Sequence, residues 1–268
     1  MPNYFAHLVF GAKVLAALPE ETARPLRAER EAFNLGCLGP DPLFFYWPAL
    51  PFPARLEGMR MHKESVRPVF RRLAGPVRER VPLAGSYAAG FLCHFALDAA
   101  CHPYVDARMA DGHLGHLAME AELDRKLMEE RGLWTQGQAY LPKIQDGAVF
   151  RAAALTYRKA GPAQLRQGYA AMRTDTLLFA KRREELLGWM TDKVLRGLPP
   201  CRDLRGVILR REPPEEHTAV CRDLTALLQR AVAPAAEHLL EFQAFAAGEG
   251  SLSAWFDRDF DGKEHPVI

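Results

Sequence analysis

The sequence predicts an all-α protein, and three observations lead there. Alternating runs of β-branched residues, the signature of strands, are scarce across the 268 residues. Long segments instead repeat their apolar side chains at the helical period of about 3.6. Proline- and glycine-rich breaks separate those segments: "LGPDPLFFYWPALPFP" at 38–53, "CHPYV" at 101–105, "GLPP" at 197–200 and "EPPEE" at 212–216.

Helices are expected near 4–17 and 20–34, ahead of the proline-rich stretch, which is long enough to suggest more than a connection. Helices near 63–80 and 83–101 follow, the second ending at "CHPYV". The next, near 113–131, begins behind Asp111 as a candidate N-cap. Segments near 147–159, 162–195 and 216–247 complete the series. A single mostly helical domain over 1–268 is the simplest organisation. Its chemical residues concentrate in 1–125, and 132–268 reads as a helical packing extension.

Composition bounds the function. Hydrophobic residues at 49% and charged residues at 25% suit a soluble globular protein with a sizeable core. A net charge of +2 gives no whole-chain pull toward nucleic acid or acidic lipid. The first twenty residues lack the basic and apolar regions of a signal peptide. The longest apolar run, Leu83 to Cys101, contains a His and an Asp, which argues against a transmembrane segment. Five scattered cysteines without a CxxC suit the reducing cytoplasm, so a cytoplasmic location is expected.

The chemistry starts in "GFLCHFALDAACHPYVDARM", residues 90–109, where His94, Asp98 and His102 recur every four residues. The surrounding helix is apolar nearly all round and is therefore expected to be buried. A buried carboxylate must be paired, coordinate a cation or lose its charge. His94 and His102 would lie about 12 Å apart along the axis, their bearings differing by about 80°. One metal would take His94 with Asp98 but hardly both histidines; a metal cluster along the helix would use all three, with Asp98 as the bridge. The alternative is a core His–Asp hydrogen bond with a capping His before Pro103.

A second cluster follows in "DGHLGHLAMEAELD", residues 111–124. His116 and Glu120 are four apart, His113 precedes them, and Asp124 continues the same face. Imidazole and carboxylate are the non-thiol ligands of zinc. An exposed, charged helix start is the alternative. Upstream, His7, Asp41 and His62 each have an ordinary reading as a core histidine, a turn aspartate and a surface histidine. What singles them out is their order.

That order (His7, "GPD" at 39–41, Met61-His62, HxxxDxxxHP at 94–103 and HxxxE at 116–120) resembles the bacterial zinc-dependent phospholipase C family over residues 1–125. The family shares its metal site with fungal zinc nucleases that cut single strands. The resemblance implies an all-α fold with a buried cleft holding two or three zinc ions. Asp41, His62, His94 and Asp98 would hold one zinc; His102, His116 and Glu120 a second; His7 and the bridging Asp98 a third, with the chain's N-terminal amine and carbonyl. His113 competes with His116, and the i,i+4 pairing with Glu120 favours His116. The chain departs from secreted members in beginning Met-Pro rather than with a Trp, and in the closer spacing of Asp98 and His102.

The implied activity is hydrolysis of a phosphodiester by metal-activated water, with a phospholipid as the expected substrate and no stable nucleic-acid complex. Paired divalent cations neutralise phosphoryl oxygens, activate water and stabilise the leaving alkoxide. Asp41 is the candidate general base. Phe44, Phe45, Tyr46 and Trp47 would wall an acyl chain or a base, or else pack a loop on the core. The basic run "RMHKESVRPVFRRL" at 60–73 would steer an anionic substrate or form a solvated helix face. Two alternatives stand beside the lipase: a nuclease-like phosphodiesterase, and a non-catalytic helical protein with a structural zinc site. An HD-type phosphohydrolase needs a His-Asp dipeptide, and a di-iron bundle needs repeated ExxH pairs; both are missing. "DRDFDG" at 257–262 mimics the start of a calcium loop, but the glutamate expected at its end falls on Ile268.

Overall fold

The computed structural model describes residues 4–110, 115–133, 141–180 and 215–265, with backbone alone at 175–180 and 215–216. Asp111, His113 and residues 181–195 therefore lie outside the described residues. Ten α-helices are described: α1 (Tyr4–Ala17), α2 (Glu20–Ala28), α3 (Arg30–Gly36), α4 (Pro53–Met61), α5 (Arg67–Arg78), α6 (Ala84–Ala110), α7 (His116–Glu129), α8 (Gly147–Ala154), α9 (Pro162–Ala180) and α10 (Glu215–Ala247). Two 3-10 turns, Asp41–Phe45 and Ala254–Asp257, complete the set. No strand forms among the described residues; Arg258 and Glu264 make one isolated bridge. The chain is all-α, as its periodicity predicts.

Several boundaries moved, each for a local reason. The segment expected at 20–34 breaks at Glu29, whose backbone leaves the helical region. The break turns α3 onto α6, where the Ser86 hydroxyl donates to the Glu29 carboxylate at 2.6 Å. Helix α4 was not expected at all, because the prolines read as a break. Pro53 instead sits in its first turn, where a missing N–H costs nothing. Pro68 plays the same part in α5, which starts at Arg67 rather than 63. Helix α8 stops at Ala154 because the buried Glu57 carboxylate takes the Arg158 and Lys159 amides, both at 2.7 Å. Helix α6 runs through Pro103 to Ala110. The proline removes only the N–H that would bond the Ala99 carbonyl, and burial of His102 and Val105 keeps that turn helical.

Helix α6 is the centre of the packing. Every residue from Ser86 to Asp98 is buried. Helices α1, α2, α3, α5, α7, α8 and α10 all touch it. An aromatic cluster fills one side: Phe70 meets Phe242 and Phe256 with ring centroids 5.1 Å apart in each case. On another side α3 crosses so closely that a Cβ on Gly90 would fall 2.0 Å from the Phe33 carbonyl oxygen. No helix among the described residues is long and apolar enough to cross a membrane.

Gly90 thus sets the distance between α3 and α6. Gly90→Ala is expected to destabilise the protein by about 3 kcal/mol, since the obstructing atom is backbone and cannot swing aside. Urea unfolding followed by circular dichroism measures it; a change within about 0.5 kcal/mol, the range of neutral surface substitutions, would contradict this packing.

Candidate metal centre

Five separate stretches of chain deliver the candidate ligands. Helix α6 presents His94, Asp98 and His102 on successive turns. The α3–α6 contact carries the chain past Cys37 to Gly39, whose φ of +52° lays the backbone flat against His94. A Cβ there would lie 2.2 Å from the His94 ring. The next turn starts at Asp41, which is fully buried. His62 caps the C-terminus of α4. His7 comes from α1 and stacks on His94 with centroids 4.2 Å apart. His116 and Glu120 occupy the first turns of α7.

The side chains meet around Asp98. Its Oδ2 lies 3.2 Å from His94 Nε2 and 3.9 Å from His62 Nε2. Its Oδ1 lies 3.2 Å from His7 Nε2 and 3.6 Å from His102 Nε2. On the first side, Asp41 Oδ1 is 3.3 Å from His62 Nε2 and 3.8 Å from His94 Nε2. On the second, Glu120 Oε1 is 2.8 Å from His116 Nε2 and 3.6 Å from His102 Nε2. Three groupings have ligand atoms within 4.8 Å of one another: His62–His94–Asp98, His102–His116–Glu120 and His7–Asp41–His94. All eight residues singled out from the sequence are therefore gathered in one place. His94 and His102 fall into different groupings, as their helical bearings require. The N-terminal amine lies outside the described residues.

The donor set fits cations. His62 Nδ1 faces the Gly58 carbonyl at 2.9 Å, and His94 Nδ1 faces the Cys37 carbonyl at 3.2 Å. A carbonyl only accepts, so both Nδ1 atoms carry the proton, and in the neutral tautomer that results both Nε2 atoms present a lone pair. Those lone pairs point at carboxylate oxygens, which also only accept. Neither Asp41 oxygen, nor His94 Nε2, nor Asp98 Oδ2 makes a hydrogen bond, although all are buried. Such an array of mutually facing acceptors is costly unless a cation sits between them.

Electrostatics point the same way. Burial would raise the Asp98 carboxyl, but His94, His102 and His7 outweigh it and hold the group well below the usual range. Glu120 falls to about 2: burial pushes it up, and His116 and His102 more than offset that. Burial lowers His102, yet Asp98, Asp261 and Glu120 leave it well above an ordinary imidazole. His7 is raised by Asp98 against its own burial. The carboxylates thus favour positive charge in the cluster, as protons on imidazoles or as metal.

His62 and His116 are the partly exposed members, so the cluster meets solvent on their side. Of the four aromatics expected to wall a substrate, Phe44 lies against His62 with centroids 5.0 Å apart. Phe45 packs edge-on to Tyr4 and Tyr46 against Phe52, while Trp47 is 52% exposed. The basic run at 60–73 is mostly engaged. Arg60 pairs with Glu64 at 3.1 Å, Lys63 with Asp261 at 2.6 Å, Arg67 with Asp257, and Arg72 with the Thr156 carbonyl.

Three residues contribute in ways that the sequence alone did not assign, Asp124 among them although it was read as continuing the His116–Glu120 face. Asp124 accepts from the Phe5 and Ala6 amides at 3.1 and 2.7 Å, anchoring the start of α1 and with it His7. Phe260 is fully buried against His62 and Asp261 faces His102. For Phe260 and Asp261 the one visible signal was the calcium-loop likeness of "DRDFDG", which lacks its closing glutamate.

Zinc must displace protons from the raised imidazoles, so binding is expected to release protons and to tighten as pH rises. Calorimetric titration of zinc into stripped protein near neutral pH, in two buffers of different ionisation enthalpy, should give different apparent heats. Equal heats would contradict the protonated state inferred for His7 and His102.

Comparison with curated proteins and with solved structures yields no match. The zinc-dependent phospholipase C family model matches residues 6–190, which include every ligand candidate from His7 to Glu120. That span is more than half of the chain, and the chain belongs to the zinc-dependent phospholipase C family.

Proposed function

We propose that the protein is a phospholipase C-like hydrolase that cleaves the headgroup ester of a phospholipid. One observation carries the reading: each carboxylate oxygen of Asp98 faces a different set of imidazoles, an arrangement that suits two cations side by side. Adjacent divalent ions supply Lewis acidity and water activation to phosphodiester cleavage. Asp41, His62, His94 and Asp98 would hold one ion, and His102, His116 and Glu120 a second, with Asp98 between them. His7 and Asp98 belong to a third position. Asp41 is the proton acceptor: it is buried, its oxygens carry no hydrogen bond, and it lies 3.3 Å from the partly exposed His62. Phe44, against His62, borders the open side and excludes water there.

A lipid suits the surroundings better than a single-stranded nucleic acid. Trp47 to Pro53 are all exposed and carry no charge, and Leu56 and Met59 continue the apolar surface along α4. Single-strand binding would need a basic groove, and Arg60, Lys63 and Arg67 beside the site are already paired with acids of this chain. A cytoplasmic setting accords with Cys37, Cys93, Cys101 and Cys221, which are free and buried.

The zinc-loaded protein is expected to release phosphorylated headgroup from short-chain phosphatidylcholine. Asp41→Asn should lower kcat by about 10²–10⁴-fold, the usual worth of a general base. Cleavage of single-stranded DNA without cleavage of phospholipid would favour a nuclease, and bound zinc without turnover on either would leave a structural site. Trp47→Ala with Leu50→Ala is expected to reduce activity on vesicles at least about fivefold while sparing soluble short-chain substrate, because interfacial binding scales with buried apolar area. Equal losses on both substrates would remove the apolar surface from the account.

A further inference from the structure

The family match ends at residue 190, yet the segment at 254–265 lies against the metal centre. We propose that Asp261, delivered by a C-terminal hook outside the matched span, is a positioning residue for His102. The inference rests on the zinc site described above.

His102 directs Nε2 toward Asp98 and Glu120, 3.6 Å from each. Its other nitrogen, Nδ1, faces Asp261 Oδ1 at 3.6 Å. A histidine that ligates through Nε2 needs its Nδ1–H directed at an acceptor, which fixes both tautomer and ring orientation. His62 and His94 have main-chain carbonyls for this, from Gly58 and Cys37. For His102, whose Nδ1 makes no hydrogen bond, the acceptor facing it is the buried Asp261 carboxylate, a few tenths of an ångström beyond bonding distance.

The hook is built to hold that carboxylate still. Arg67 binds the Asp257 carboxylate and the Leu252 and Ser253 carbonyls. The Val66 amide donates to the Arg258 carbonyl at 2.9 Å and the Ser65 hydroxyl to that of Phe256 at 3.2 Å. Asp259 accepts from the amides of Asp261 and Lys263, tightening the turn between them. Phe260 then lies against His62 with centroids 4.6 Å apart. Gly262, at φ +75°, settles on α6, where a Cβ would come 2.7 Å from the Ala99 carbonyl oxygen. That carbonyl is the one Pro103 cannot satisfy within the helix. The other Asp261 oxygen, Oδ2, takes two largely exposed lysines, Lys63 at 2.6 Å and Lys263 at 3.1 Å, so neither alone is needed to hold the carboxylate.

The test reads metal, without substrate. Zinc retention against a competing chelator is measured for the full-length parent, Asp261→Asn, Asp261→Glu and Lys63→Ala. Loss of an outer carboxylate on a metal-bound histidine typically weakens binding by about 10–100-fold, and that loss is expected for one ion in Asp261→Asn. Asp261→Glu should hold zinc better than Asp261→Asn, and Lys63→Ala should stay within about twofold of the parent, well below the effect of an outer-shell loss. Cobalt substitution should shift the visible absorption of Asp261→Asn alone. Metal-free melting temperatures of parent and variant should agree. The assignment is overturned if Asp261→Asn keeps zinc like the parent, if Lys63→Ala loses as much, or if the loss follows a drop in metal-free stability. A zinc-holding parent that hydrolyses no phosphodiester would reject the proposed activity and leave this assignment standing.

Discussion

The structure depends on one buried carboxylate. Asp98 sits on the stretch of α6 that is buried on every side, where an unpaired charge is prohibitively costly. Four imidazoles from two helices and the end of a third surround it: His94 and His102 from its own helix, His7 from α1 and His62 from the end of α4. Their convergence is what makes a charge tolerable at that depth. It also creates the chemistry, because the two oxygens of one carboxylate look toward two different groups of nitrogen donors. Packing and function are the same constraint seen from two sides.

Around that centre the orientation of each ring is set from outside. Carbonyls of the α4 and α3 termini hold the protonated nitrogens of His62 and His94. The Asp124 carboxylate fastens the first turn of α1, so that His7 can stack on His94. The C-terminal hook supplies Phe260 and Asp261 from the far end of the chain. The helices supply burial, and the segments between and after them supply much of the aim.

How much of this was legible depends on sequence distance. The i,i+4 spacings of His94–Asp98–His102 and of His116–Glu120 are local, since one helical turn brings such residues together whatever else the chain does. His7, Asp41 and His62 carried no comparable signal of their own; their order along the chain singled them out, and tertiary packing alone could bring them to α6. Asp124 was visible only as an acid on the His116–Glu120 face, and Asp261 only within a calcium-loop likeness. Their partners are more than a hundred and nearly one hundred and sixty residues away in sequence. Proline misled in both directions: Pro53 starts a helix and Pro103 fails to end one, because position within the turn and burial decide what a missing N–H costs.

By itself the sequence determined the helical class, the burial of the helix carrying Asp98, and the residue types able to hold zinc. These follow from periodicity and side-chain chemistry, which act within a turn or two. Only the tertiary structure decided which donors face one another, which nitrogen of each imidazole is left for a ligand, and that the tail beyond the family's matched span reaches the centre. Such facts arise from contacts between distant segments, and a contact of that kind leaves no periodic trace in the order of residues.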